Sequence, residues 1–234
     1  MSSGALGREI LEEIVTRHHS KLEKVYFLSP KIAFPMNFNP SVVEFIVTNS
    51  VDDLYNNLQN ILTTKKIDAV IHSMAVSDYT VDYVASLESM VEEIIDFQSR
   101  EDDKMTDISA IVEHLRKGDF KIDTNSKMSS KSENPIIKLT PTVKVIGNIK
   151  KWSPNTILMG FKLLENVSNE ELVSVSLAQM EKNKCDFVWA NDIKRIRESG
   201  HQGLLISKDT VTEVIGKKEI AITIADTIIE SVRQ

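Results

Sequence analysis

Three short stretches hold the residues best suited to chemistry. Asp78 closes a polar run, with His72, Ser73 and Ser77, that follows the apolar Ala69-Val70-Ile71. Ligands of parallel sheets sit beyond the carboxyl ends of strands, so this carboxylate stands where a ligand would lie. Lys127-Met128-Ser129-Ser130-Lys131 sets two lysines in a small polar segment; an ammonium there is a point charge suited to an anion. Asn191-Asp192 ends the apolar run Phe187-Val188-Trp189-Ala190. His18, His19, His72, His114 and His201 show no metal-ligand spacing, and His72 reads as structural. Cys185 precedes a buried strand and reads as a small core residue. No Walker loop, GxGxxG, HExxH or CxxC is present, and no serine, histidine and acid combine into a set. Metal ligands stay unassigned.

The elements that position these residues alternate. Leu6, Ile10, Leu11, Ile14 and Val15 form one face of a helix over residues 5–18. Strands are expected at 25–28, 42–48 and 69–71, with a helix at 51–63. Residues 80–125 interrupt the pattern as an inserted helical segment or lid, with Val84, Leu87, Val91 and Ile95 in its first helix and a second at 108–115. Alternation resumes with strands at 136–139, 156–161 and 187–190, and helices at 143–152 and 170–182. A hairpin over 203–215 and a helix at 218–232 close the chain. The fold expected is α/β: a Rossmann-like, mostly parallel sheet with helices on both faces, plus a C-terminal β-hairpin, in one domain over 1–234.

Composition narrows the function classes. A net charge of −6, with acids and bases mixed, argues against a general nucleic-acid surface. One cysteine excludes an internal disulfide and fits a reduced, cytoplasmic protein. No apolar run reaches the length of a membrane span.

Residues 127–131 look like the KMSKS loop of class I aminoacyl-tRNA synthetases, but the partner HIGH motif is absent from the N-terminal half. A different resemblance covers nearly the whole chain. It runs through Ser2-Ser3-Gly4, Ala75-Val76-Ser77-Asp78-Tyr79, Lys127-Met128-Ser129-Ser130, Ile137-Lys138-Leu139 with Thr142 to Val145, Gly160-Phe161-Lys162 and Ala190-Asn191-Asp192. In order and approximate spacing this series resembles the phosphopantothenate–cysteine ligase family. Ile71 to Tyr79 looks most like the stand-alone bacterial members.

The resemblance implies ligation of 4′-phosphopantothenate to cysteine in coenzyme A biosynthesis, through an acyl-nucleotide intermediate. It implies CTP in preference to ATP, Mg²⁺, small-molecule partners only, no nucleic acid or membrane, and a homodimer. It places the substrate phosphate on Ser2, Ser3 and Gly4, with Ala75 and Asn191 also toward the substrate. Asp78 would bind nucleotide or Mg²⁺. Lys127 would contact the reacting phosphate as the catalytic residue. Thr142, Val143, Lys144, Val145 and Phe161 would line the base, and Lys182 the triphosphate.

The sequence departs from the family in two places. Ala178 stands where bacterial members usually carry another lysine. The family also has a strand, a Gly-Gly-Thr turn and a catalytic asparagine ahead of its serine-glycine loop, so the resemblance implies a start upstream of Met1. Two alternatives follow: an inactive or regulatory nucleotide-binding relative, and a different Rossmann-like enzyme such as a dehydrogenase.

Overall fold

A computed structural model describes residues 4–30, 38–100, 107–117 and 134–232. The chain divides into two compact units, one made of residues 1–76 and 143–234, the other of 77–142.

The larger unit is built on parallel strands. Helix α1 (Ala5–His18) turns Ile10, Leu11, Ile14 and His18 inward, as its apolar periodicity predicts. Strands β1 (Val25–Ser29) and β2 (Val43–Val47) pair in parallel. Helix α2 (Val51–Thr64) starts at a capping box: Ser50 Oγ accepts from Asp53 N at 3.0 Å, and Asp53 Oδ2 accepts from Ser50 N at 3.2 Å.

Strand β3 (Ala69–His72) heads a five-stranded sheet. Numbering the later strands β6 (Ile157–Leu164), β7 (Phe187–Asp192), β8 (Gln202–Ile206) and β9 (Val211–Ile215), the order is β3-β6-β7-β8-β9. The first three are parallel; β8 runs antiparallel to β7 and β9 antiparallel to β8, so the last two form the expected hairpin. Among the described residues, β1 pairs only with β2, and β3 only with β6.

Strand alternation sends side chains to two cores. Val188 and Leu158 join Leu54, Leu58, Val145, Ile149 and Leu172 on the side of α2, α5 (Ile146–Trp152) and α6 (Asn169–Asn183). Trp189 and Met159 join Ile10, Ile14, Ile220 and Ile224 on the side of α1 and α8 (Lys217–Ser231). Helices therefore cover both faces, as in the expected Rossmann-like fold. On the α5–α6 side, Lys150 Nζ donates to Thr156 O at 2.6 Å and Asp186 Oδ2 at 2.8 Å, tying α5 to the strands below it. Cys185 is buried in the same core, where desolvation pushes its thiol up to about 11.

The smaller unit corrects two expectations. Strand β4 (Tyr79–Ser86) takes in Val84, which the periodicity placed in a helix. Ser86 Oγ accepts from Ser89 N at 2.9 Å, and this cap starts α3 (Leu87–Arg100) three residues later than expected. Strand β5 (Pro135–Pro141) does not resume the parallel sheet: it pairs antiparallel with β4. The excursion is thus wider than 80–125 and contains its own two-stranded sheet as well as α3 and α4 (Ile108–Lys117). Tyr83 is buried beneath the helices, its hydroxyl donating to Leu115 O at 3.3 Å. His114 stacks on Phe97 with centroids 4.2 Å apart and bonds Glu93 at 2.7 Å, locking α3 to α4.

Candidate functional site

At the carboxyl ends of the strands of the larger unit, the chain turns into helix starts. Gly4 precedes α1 with φ 67°, a left-handed conformation that glycine adopts without steric cost. The first turn of α1 carries no acidic residue and no side-chain cap, so its amides remain available to an anion. This helix start abuts the end of β3: a Cβ on Gly7 would lie 2.9 Å from Ser73 Oγ. Ala75 follows on the exposed connection beyond β3.

Val143 and Lys144 are exposed just before α5, whereas Val145 is a core residue. The Phe161 ring packs toward the α1–α8 core rather than toward α5 and α6. Its carbonyl does face α6, accepting from Gln179 Nε2 at 3.2 Å. Lys182 is exposed on α6. Asn191 lies near the end of β7, in register with Leu163 of β6.

Asp78 and Thr142 belong to the smaller unit, where Asp78 O accepts from Thr142 N at 3.0 Å and Thr142 Oγ1 donates to Ser77 O. Ser2, Ser3 and Lys127 lie outside the described residues. The larger unit therefore carries Gly4, Ala75, Val143 to Val145, Phe161, Lys182 and Asn191, with the side chains of Val145 and Phe161 turned into its two cores, and the smaller unit carries Asp78 and Thr142.

Sequence reasoning assigned no role to Asp192, which is only 2 % exposed. Its Oδ2 accepts from Val167 N at 3.0 Å and its Oδ1 from Arg195 N at 3.0 Å. Arg195 in turn donates to Val167 O at 2.8 Å and to Asn169 Oδ1. Asp192 thus caps α7 (Ile193–Ser199) and stitches it to the loop after β6, with Asn191 between them. An aspartate just before Ile193 was the available signal for this cap.

The Val167 amide, opposed in part by desolvation and helped by the Arg195 and Lys194 amides and the Arg195 charge, holds the Asp192 carboxyl below the usual carboxylate range. A depressed folded pKa stabilises above the unfolded value, about 3.9, and that stability is lost as pH falls through the folded value. Asp192→Ala should therefore lower the urea midpoint at pH 7, with the gap to the parent closing below about pH 4. A gap that is constant across that range would rule out the carboxylate as its source.

No metal cage is present among the described residues: no three His, Cys, Asp or Glu side chains are gathered where they could hold an ion. Nor, among them, is any helix long and apolar enough to cross a membrane.

A mainly parallel sheet with helices on both faces defines a Rossmann-like α/β domain. The chain belongs to the DNA/pantothenate metabolism flavoprotein C-terminal domain family, whose model matches residues 83–232. It is 31% identical over 106 residues to the coenzyme A biosynthesis bifunctional protein CoaBC of Thermococcus kodakarensis, a match covering 44% of this chain and 26% of that protein. It is 23% identical over 130 residues to the CoaBC of Methanocaldococcus jannaschii, covering 55% of this chain and 32% of that protein. The chain thus spans about a third or less of the curated relatives it matches. Among solved structures, the DNA/pantothenate metabolism flavoprotein from Streptococcus pneumoniae superposes with TM-score 0.74 at 28% identity, over 98% of this chain and 89% of that one. A Cab2 mutant solved in complex with phosphopantothenate-cysteine shares the fold, with TM-score 0.59 at 13% identity, over 100% of this chain and 81% of that one.

Proposed function

We propose that this chain is a phosphopantothenate–cysteine ligase of coenzyme A biosynthesis. The family match over 83–232, together with the coenzyme A biosynthesis proteins among its relatives, carries this reading. A carboxylate is a poor acyl donor. The substrate carboxylate oxygen attacks the α-phosphorus of CTP, a P–O bond breaks and pyrophosphate leaves. The cysteine amine then attacks the acyl carbon of the acyl-cytidylate; CMP departs with the bonding pair and the amine gives up a proton.

The protein's task is to align anions and neutralise charge as it develops. Ser2, Ser3 and Gly4 hold the substrate phosphate at the start of α1, with Ala75 and Asn191 flanking the substrate. Lys127 and Lys182 are the residues proposed for the nucleotide phosphates, and Val143 and Lys144, exposed just before α5, for the base. Mg²⁺ supplies charge neutralisation on the triphosphate. Asp78 is the acid proposed to bind the nucleotide or this ion.

The enzyme works in the cytoplasm as a homodimer, without nucleic-acid or membrane partners. In support of the dimer, one face of the two-stranded β4–β5 sheet exposes Tyr79 by 57%, Val81 by 51%, Ile137 by 58% and Leu139 by 53%. Monomers rarely leave such apolar groups contiguous, and a second copy of the face would cover them. Sedimentation at micromolar concentration should give twice the chain mass; a monomer sinks the dimer.

The deciding assay is pyrophosphate release with CTP or ATP. Release beyond one equivalent per site should require both cysteine and phosphopantothenate and be faster with CTP. Continued turnover without cysteine, or no release with either nucleotide, overturns the ligase.

A further inference from the structure

Helix α1 carries a glycine, Gly7, at its third residue. Propensity alone favours alanine there, because glycine loses more backbone freedom when a helix forms. Backbone conformation does not call for the glycine either: Gly7 is helical, and its φ is not positive. The reason is space. A Cβ at residue 7 would lie 2.9 Å from Ser73 Oγ, closer than real Cβ contacts come. Apart from its chain neighbours and the backbone of α1, no other atom of the described residues lies within 4 Å of that Cβ. Ser73 is the first residue beyond β3, so Gly7 is where α1 rests on the end of that strand.

The contact falls at the working end of the helix. Arg8 N donates to Gly4 O at 3.0 Å, which opens the ladder of α1. The amides of Ala5, Leu6 and Gly7 come before it and have no acceptor within the helix. Further along, α1 is pinned to α8. Glu9 is ion-paired with Lys217, and Asp226 takes Arg17 at 2.9 Å and His18 at 2.6 Å. Between these ties, Ile10 and Ile14 pack with Ile220 and Ile224. The helix as a whole therefore cannot slide away from Ser73. A methyl at residue 7 is absorbed at the first turn, by a tilt of the three amides.

We infer that Gly7 is a positioning residue: its bare Cα, seated on Ser73, fixes where the first-turn amides of α1 stand against the end of β3. The inference rests on the reading above, in which the phosphate of phosphopantothenate binds at this helix start. Misplacing donors by a fraction of an ångström weakens that phosphate contact and leaves the nucleotide, bound by other residues, unaffected.

The test uses Gly7→Ala in the full chain, with phosphopantothenate and CTP binding followed by calorimetry and KM for each by pyrophosphate release. Kd and KM for phosphopantothenate should rise at least about fivefold, while those for CTP stay within about twofold. The thermal midpoint should not fall, since alanine is the better helix former. The second variant pair places the same change in a Ser73→Ala background, where the only atom the methyl meets is gone. There the penalty of Gly7→Ala should shrink to within about twofold.

Unchanged phosphopantothenate binding in Gly7→Ala overturns the inference. So does a lowered midpoint or an equal loss for both ligands, either of which marks a merely structural role. A penalty that persists without the Ser73 hydroxyl overturns it as well. If cysteine-dependent turnover is absent but phosphopantothenate binds and is weakened as expected, the ligase falls and the positioning role stands. A parent that does not bind phosphopantothenate ends both.

Discussion

Lys127→Ala is expected to lower kcat/KM for cysteine-dependent pyrophosphate release by about 10²–10³-fold, the usual cost of removing one preorganised partner of developing charge. In the proposed reaction, negative charge shifts onto the leaving pyrophosphate as the carboxylate oxygen bonds to the α-phosphorus. A compact ammonium stabilises that redistribution more than it stabilises the ground state. Both kcat and kcat/KM should therefore fall, whereas a rise in KM alone would assign Lys127 to uniform binding. Lys127→Arg keeps the charge but presents a planar fork, and should recover only part of the rate. Turnover near that of the parent in the alanine variant removes Lys127 from the mechanism.

Gly203→Ala is expected to destabilise the larger unit by about 3 kcal/mol, at the upper end of overpacking costs. A Cβ at residue 203 would lie 2.5 Å from Trp189 Cζ2, 3.0 Å from its Cε2 and 2.6 Å from Ala190 O. Neither obstacle can withdraw cheaply. Trp189 is fully buried with Met159, Ile220 and Ile224, and Ala190 O belongs to the strand that pairs with β8. Urea unfolding reads the loss. A double-mutant cycle separates the two obstacles. In a Trp189→Phe background the ring overlap is relieved and the carbonyl overlap stays, so the penalty of the alanine should shrink without vanishing. Equal penalties in both backgrounds would clear the indole of any part in it.

The larger unit was legible because its strands are short, apolar and separated by periodic helices; α1 falls on residues 5–18 as read from the spacing of Leu6, Ile10 and Ile14. The smaller unit was not. Val84, Leu87, Val91 and Ile95 recur at helical intervals, yet Val84 is paired with Ile137 of the antiparallel strand β5. Spacing alone cannot show where a strand hands over to a helix, although the Ser86 cap could have. Nor does anything within Ile136–Leu139 declare its partner, since strand pairing is set by how the chain returns. The site divides in the same way. Motif order pointed to Gly4, Asp78 and Asn191, which stand at strand or helix ends where local sequence sets their place. Asp192 acts through a neighbour many residues away, Val167, and no local pattern announces such a partner.

Cys185 carries a practical consequence. With its pKa near 11, only about one thiol in ten thousand is ionised at pH 7, and the thiolate is the reactive form. The native sulfur is therefore silent toward maleimides and disulfide reagents in the folded state. A cysteine introduced at the exposed Lys144 would be labelled alone, giving a fluorescent or spin reporter of binding at the proposed nucleotide site without first rebuilding the interior.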